Sequence, residues 1–485
     1  MAEQTLKEKT AKGLFWGGLS NGVQQVLNLV FGLVLARILN ASDYGMVGML
    51  AIFSAIASTI QESGFTAALT NQKEIRHEDY NAVFWFSTLT GILFYLILFF
   101  CAPLIASFYD KPELISLSRV VFLGFLFGGF GIASNAYLFK TLMVKERAKI
   151  DIISLICSGT IGVILALNGF AYYGLAIQTT TYIGIGSLLK YLYAPWKPTF
   201  QININPLKQM FGFSSKLILT NIFTQISNNI FSVVLGKFYT PQQLGYYSQG
   251  QKWMTMGQQL IGGTINNVIQ PISVKVKDDI NYRVLVFRKL MRFTAFLIFP
   301  LMLGLAFVAK EVIYISIGDK WGPVIPILQI LCIVGITYNF SVVCIHTLLS
   351  YGLSKLIFEM TLLLNTLQIL CLILSHKLGF DTMLTIYVAT NILSLSLWLK
   401  LICKKFNINI NLILKDIGVY FLISIFVFIN VEIILNYINC NIYVSFIIKI
   451  SLSAIEYILF INLAGSKIFE DCKSFLWKQS KKPEL

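Results

Sequence analysis

Three amides share one side of an apolar N-terminal segment. Asn21, Gln25 and Asn28 are spaced i, i+4, i+7, which stacks them on one helix face. The pattern returns 200 residues later as Asn221, Gln225 and Asn228. Residues 19–46 align with 219–246 without a gap, and eight of the 28 positions are identical. The others are Leu19/Leu219, Phe31/Phe231, Val34/Val234, Leu35/Leu235 and Gly45/Gly245. Apolar matches arise easily between apolar helices; three matched amides do not. An amide presents a donor and an acceptor together, as hydroxyl-rich ligands such as sugars require.

More polar groups fall inside apolar runs. Gln61 and Glu62 lie in the second run, and Gln258 and Gln259 in the eighth, near Gln249, Gln251, Asn266, Asn267 and Gln270. The bilayer cannot hydrate such groups, so they face protein or water. One role is interhelical glue, worth about 0.6 kcal/mol per contact. The other is the wall of a hydrated cavity for a polar substrate. The size and concentration of the whole set point to the cavity. Four cations are candidates for meeting an anionic phosphate: Lys252, about ten residues into the eighth run; Lys216, at the start of the seventh; and the repeat-matched Arg37 and Lys237. The competing role for each is snorkelling to an interface. Glu62 is a candidate proton-coupled carboxylate or the partner of a nearby cation.

Apolar helices must hold these residues. Of 485 residues, 56% are hydrophobic and 13% charged, about half the charge of a soluble domain. Mean hydropathy is +0.72. This excludes a soluble enzyme, a secreted disulfide scaffold and a disordered chain. About fourteen stretches have the length and apolarity of a membrane helix. The loops between them leave no room for an extramembrane domain. Alternating ten-residue strands are absent, which excludes an outer-membrane barrel. The first stretch is too long and too amide-rich for a cleaved signal peptide.

The net charge of +15 is topological. With the N-terminus in the cytoplasm, 29 of the 38 Lys and Arg fall on inside segments and 6 on outside loops. Both termini are then cytoplasmic, and no nucleic-acid role is needed. Six spans separate the two repeat copies, so both run in the same direction. The expected fold is an all-α polytopic membrane protein with two parallel six-helix lobes and two appended C-terminal helices. The N-terminal lobe covers 1–194, a cytoplasmic hinge linker 195–212 and the C-terminal lobe 213–403. The last two helices occupy 404–466, and a cytoplasmic tail 467–485.

Enzyme signals are absent. There is no P-loop, and His77, His346 and His376 are scattered. The eight cysteines form no C-x-x-C pair and have no histidine at ligand spacing, so they are expected as buried hydrophobes rather than metal ligands. No catalytic residue, metal or cofactor is expected.

The stretches GLFWGG (13–18), LARILNASDYGMVGMLAIFS (35–54), QESGFTAALTNQ (61–72), FGFSSKLILTNI (211–222) and LGKFYTPQQLGYYSQGQKW (235–253) resemble the polysaccharide transporter family. These are Wzx-type, WzxC-like flippases of the multidrug, oligosaccharidyl-lipid and polysaccharide exporter superfamily, with its MATE-like fold. The resemblance covers about residues 10–460. It implies a V-shaped carrier of the bacterial inner membrane that alternates between inward-open and outward-open states. It implies as substrate an undecaprenyl-pyrophosphate-linked oligosaccharide repeat for O-antigen, capsule or exopolysaccharide, with membrane lipids and polysaccharide polymerase machinery as partners. Several members have a cationic cavity for pyrophosphate; Lys252, Lys216, Arg37 and Lys237 are the nearest equivalents, fewer than the central arginine set of peptidoglycan-precursor flippases. A multidrug or cation antiporter of the same superfamily ranks second, since Glu62 is the one good cavity carboxylate. A membrane glycosyl polymerase ranks third, because it requires a large outside loop.

Overall fold

Long apolar runs have one economical solution in lipid, the α-helix, because it satisfies every backbone polar group within the segment. A computed structural model describes residues 2–62, 69, 75–201, 203, 205–275, 280–438, 440–465 and 469–470. The side chains of 2–15, 206, 208–217, 219–220 and 260–282 lie outside this description. Among the described residues the chain forms fifteen α-helices and no strand. They are α1 (Ala2–Ile38), α2 (Ala41–Glu62), α3 (His77–Tyr109), α4 (Leu114–Lys140), α5 (Val144–Leu167), α6 (Tyr172–Tyr193), α7 (Asn205–Phe238), α8 (Pro241–Lys275), α9 (Ile280–Phe307), α10 (Ala309–Ser316), α11 (Val324–Ser350), α12 (Ser354–Ser375), α13 (Phe380–Phe406), α14 (Ile410–Asn436) and α15 (Ile442–Leu463).

Every expected apolar stretch falls on one of the fourteen helices other than the short α10. Among the described residues, eleven helices are long and apolar enough to cross a membrane. α6, α7 and α8 are not among them, so the expected count of about fourteen is met as helices and not as spans. The glutamines and asparagines of α8 dilute its apolar character.

The repeat is visible in the helix ends. α1 ends at Ile38 and α7 at Phe238; α2 begins at Ala41 and α8 at Pro241. In both second helices the third residue accepts from the N-cap backbone N–H. Asp43 accepts from the Asn40 backbone N–H at 2.9 Å. Gln243 accepts from the Thr240 backbone N–H at 3.2 Å, while Thr240 Oγ1 accepts from the Gln243 N–H at 3.2 Å. The reciprocal pair at α8 is a capping box, which fixes where a helix starts.

The chain divides into two compact units, residues 1–245 and 246–485. In the first, α3 packs on α4, α4 on α6, α6 on α5 and α5 on α1, while α2 contacts α4, α6 and α7. Small residues allow the closest approaches. A Cβ on Gly129 of α4 would lie 2.7 Å from the Ser87 carbonyl oxygen of α3. Ser87 Oγ returns a 2.9 Å hydrogen bond to the Gly129 carbonyl. Close helix contact of this kind replaces the hydrophobic drive that is missing inside a bilayer.

The segment between α6 and α7, expected as a hinge linker, is stitched to the start of α3. Asn81 donates to the Gln201 carbonyl at 2.6 Å and accepts from the Thr199 N–H at 2.8 Å. Trp85 Nε1 donates to the Thr199 carbonyl at 2.8 Å, and Asn203 Nδ2 to Glu78 at 3.1 Å. Trp196 is buried in a cluster with Tyr80, Val83, Phe84, Ala133 and Ala136.

Among the candidate spans of the second unit that the described residues show, α11 is the most enclosed, with 67% of its central stretch buried. It packs against α9 and α13, and α14 lies on α9. α15 contacts α14 and α10.

Candidate substrate-lining residues

The amides of the first repeat are accessible. Asn21, Gln25 and Asn28 are all exposed along α1. On α7, Asn221 and Asn228 are exposed and Gln225 is half-buried. Both helices belong to the first unit, so one unit carries both copies of the face. Beside it, α1 presents Gly18 and Gly22 with open space where a Cβ would be. The 18–27 stretch of α1 borders a groove of about 610 Å³.

Gln61 differs from the expectation. It is buried, and its Nε2 donates at 2.7 Å to the Phe125 carbonyl of α4. Its amide therefore ties α2 to α4 and is not a cavity-lining group here. The physical reason is the nearby glycine-rich face of α4, where Gly128 leaves room for the side chain. Glu62, the next residue, is exposed and within electrostatic reach of Lys190 on α6.

In the second unit Gln259 is exposed, and half-buried Gln258 reaches the Gly335 carbonyl of α11 at 3.3 Å. Lys252 is exposed on α8. Arg37 is exposed in the last turn of α1. The side chain of Lys216 lies outside the described residues. Lys237 is in an ion pair: its Nζ is 2.8 Å from Asp110 Oδ2 and 5.5 Å from the Phe108 ring centroid. Of the described cations, Arg37 and Lys237 belong to the first unit and Lys252 to the second.

The second unit holds further polar pairs that join its helices. Lys449 Nζ of α15 lies 3.0 Å from Glu311 Oε1 of α10 and 3.1 Å from Glu432 Oε2 of α14. Glu311 and Lys449 are both buried. Ser445 Oγ adds a 3.3 Å bond to Glu311, and Phe307 covers the ammonium at 4.4 Å. Asn430 Nδ2 donates to both carboxylate oxygens of Glu456 at 3.0 Å. Near the other end of α14, Asp416 accepts from Arg288 at 2.6 and 3.1 Å and pairs with Arg292 at 2.7 Å. Each of these charges is paired within the protein, which offsets part of the cost of removing it from water, although Glu311 Oε2 is buried without a hydrogen-bond partner. The sequence signal was a charge inside an apolar run; its partner was not readable.

The described cysteines are unpaired; Cys332, Cys344 and Cys403 are buried, and Cys101, Cys157, Cys371 and Cys440 are half-buried.

Comparison with known proteins accords with this architecture. The chain is 24% identical over 334 residues to the teichuronic acid biosynthesis protein TuaB of Bacillus subtilis (strain 168), covering 68% of this chain and 69% of that one. It is 24% identical over 340 residues to the lipopolysaccharide biosynthesis protein WzxC of Escherichia coli (strain K12), covering 68% of each. Among solved structures, the lipid II flippase MurJ in an inward closed conformation superposes with a TM-score of 0.74 at 16% identity, over 92% of this chain and 98% of that one. That likeness establishes a shared fold. The family model described as polysaccharide biosynthesis protein matches residues 34–326, from the end of α1 to the start of α11. Spanning more than half of a multi-pass membrane chain, that match places the protein in the polysaccharide biosynthesis protein family.

Proposed function

We propose that the protein is a flippase that moves undecaprenyl-pyrophosphate-linked oligosaccharide repeats across the inner membrane by alternating access, for surface polysaccharide assembly. The observation that carries this is the exposure of the repeated amide faces on α1 and α7. Amides facing hydrocarbon would each cost several kcal/mol. Amides serving as glue would be covered, as Gln61 is. Exposure on helices of a membrane protein therefore favours a water-filled path, and donor–acceptor side chains suit sugar hydroxyls. The relatives named for teichuronic acid and lipopolysaccharide biosynthesis, and the lipid II flippase that shares the fold, support a saccharide-bearing lipid as cargo.

In this account the headgroup crosses along the amides while the prenyl chain stays in lipid. Exposed Lys252 and Arg37 are the remaining described candidates for the pyrophosphate. The Lys and Arg bias supports cytoplasmic termini. The repeat supports two lobes, 1–194 and 213–403, as the moving parts. No residue is assigned a catalytic role. Deleting the gene tests the proposal: lipid-linked repeats should accumulate on the cytoplasmic leaflet. Normal surface polysaccharide in the deletion strain would sink it.

A further inference from the structure

The turn between α1 and α2 meets the turn between α7 and α8 with no clearance. A Cβ built on Gly45 would collide with the Pro241 carbonyl, and one on Gly245 with the Ala41 carbonyl. Both pairs are 200 residues apart, so the seat is reciprocal: each repeat copy offers a glycine to the first-turn carbonyl of the other. Any side chain larger than hydrogen at either position would hold the two turns apart. Leu244 is completely buried beside this contact.

A second set of contacts lies one turn away. A Cβ on Gly236 of α7 would be 2.9 Å from Tyr109 Cε1 and 3.0 Å from Met49 Cγ. The next residue, Lys237, makes the ion pair with Asp110, at the C-cap of α3. Thus α7 is seated against α2 by packing and against α3 by charge. With the N-terminus in the cytoplasm, all of these residues are at the outer ends of their helices.

We propose that this seam is the outer gate of the carrier, closed in this structure. Gly45 and Gly245 form its seal, and the Lys237–Asp110 pair is its latch. This rests on the flippase function and orientation proposed above, and it assigns Lys237 to the gate rather than to phosphate. The division of labour follows from the physics. Backbone contact through glycines seals without interlocked side chains that would resist separation. An ion pair with one largely exposed partner adds a modest attraction that water can replace when the seam parts.

The test is labelling of Leu244→Cys by a membrane-impermeant maleimide applied from outside, with the full chain in its membrane, read against the chain without that substitution. Adding Gly45→Ala or Gly245→Ala should raise labelling about tenfold, because overpacking opposes closure. Adding Asp110→Asn should raise it about twofold. Unchanged labelling in all three, at equal protein level, would overturn the gate. If an alanine variant fails to fold, the pair Met49→Cys/Gly236→Cys decides. Oxidation should cross-link it and stop flipping until reductant is added; a cross-linked protein that flips at the unmodified rate overturns the gate. Labelling and cross-linking need no substrate. A seam that opens as expected in a protein without flipping activity overturns the flippase and leaves the gate standing. Normal flipping with a cross-linked seam does the reverse.

Discussion

The polar groups of α1 and α7 and those of α10, α14 and α15 meet the bilayer in opposite ways. On α1 and α7, neutral amides stay accessible along faces that repeat at an offset of 200 residues. On α10, α14 and α15, full charges are drawn together, with Glu311 Oε1 and Glu432 Oε2 each within 3.1 Å of Lys449 Nζ. The first arrangement leaves polar side chains accessible; the second pairs charges with one another inside the protein. Paired charges build scaffold, and accessible amides on a membrane helix favour a path for water and a polar ligand. Gln61 shows that residue type does not decide the matter. It is an amide like Gln25, yet its bond to the Phe125 carbonyl makes it scaffold.

Substitutions can break this contrast, beginning with the largest expected effect on stability. Glu311→Ala leaves the buried Lys449 ammonium with the half-exposed Glu432 as its remaining carboxylate partner, and should cost about 3 kcal/mol. Thermal unfolding in detergent should show it as a large drop in Tm, and an unchanged Tm would mean that the triad is not scaffold. Asp416→Ala leaves Arg288 and Arg292 facing each other and should cost about 2 kcal/mol in the same assay, since charge-assisted bonds are the stronger ones. Gln61→Leu removes one interhelical amide and should cost about 1 kcal/mol. The combined Asn21→Leu, Gln25→Leu and Asn28→Leu change should alter stability by less than about 0.5 kcal/mol per site while abolishing export. If the amide variant unfolds as readily as Glu311→Ala, the amides are glue and the contrast collapses.

Much of the fold was legible because the bilayer restricts the choices. Apolar runs located all fourteen long helices, and the repeat placed the α1–α2 and α7–α8 turns at matching positions. The amides of α1 and α7 were legible as a face because i, i+4, i+7 is a local relation. Contacts set by tertiary packing were not. The Phe125 partner of Gln61 is 64 residues away, and Asp110 is 127 residues from Lys237. Nothing in the local pattern separates Lys237 from Arg37 as a phosphate ligand. The same limit applies to segment 195–212: its place between the repeat halves suggested a hinge, and nothing local announced the hydrogen bonds that tie its backbone and Asn203 to α3.

The central claim is that the accessible amides carry a sugar-bearing lipid across the bilayer. It is tested most directly by reconstituting the purified protein into vesicles with a lipid-linked oligosaccharide on one leaflet and measuring its appearance on the other. The unmodified chain should equilibrate the lipid between leaflets, and the Asn21→Leu, Gln25→Leu, Asn221→Leu variant should not, although its Tm is unchanged. Equal transfer by the two proteins, or none above protein-free vesicles, would contradict the account.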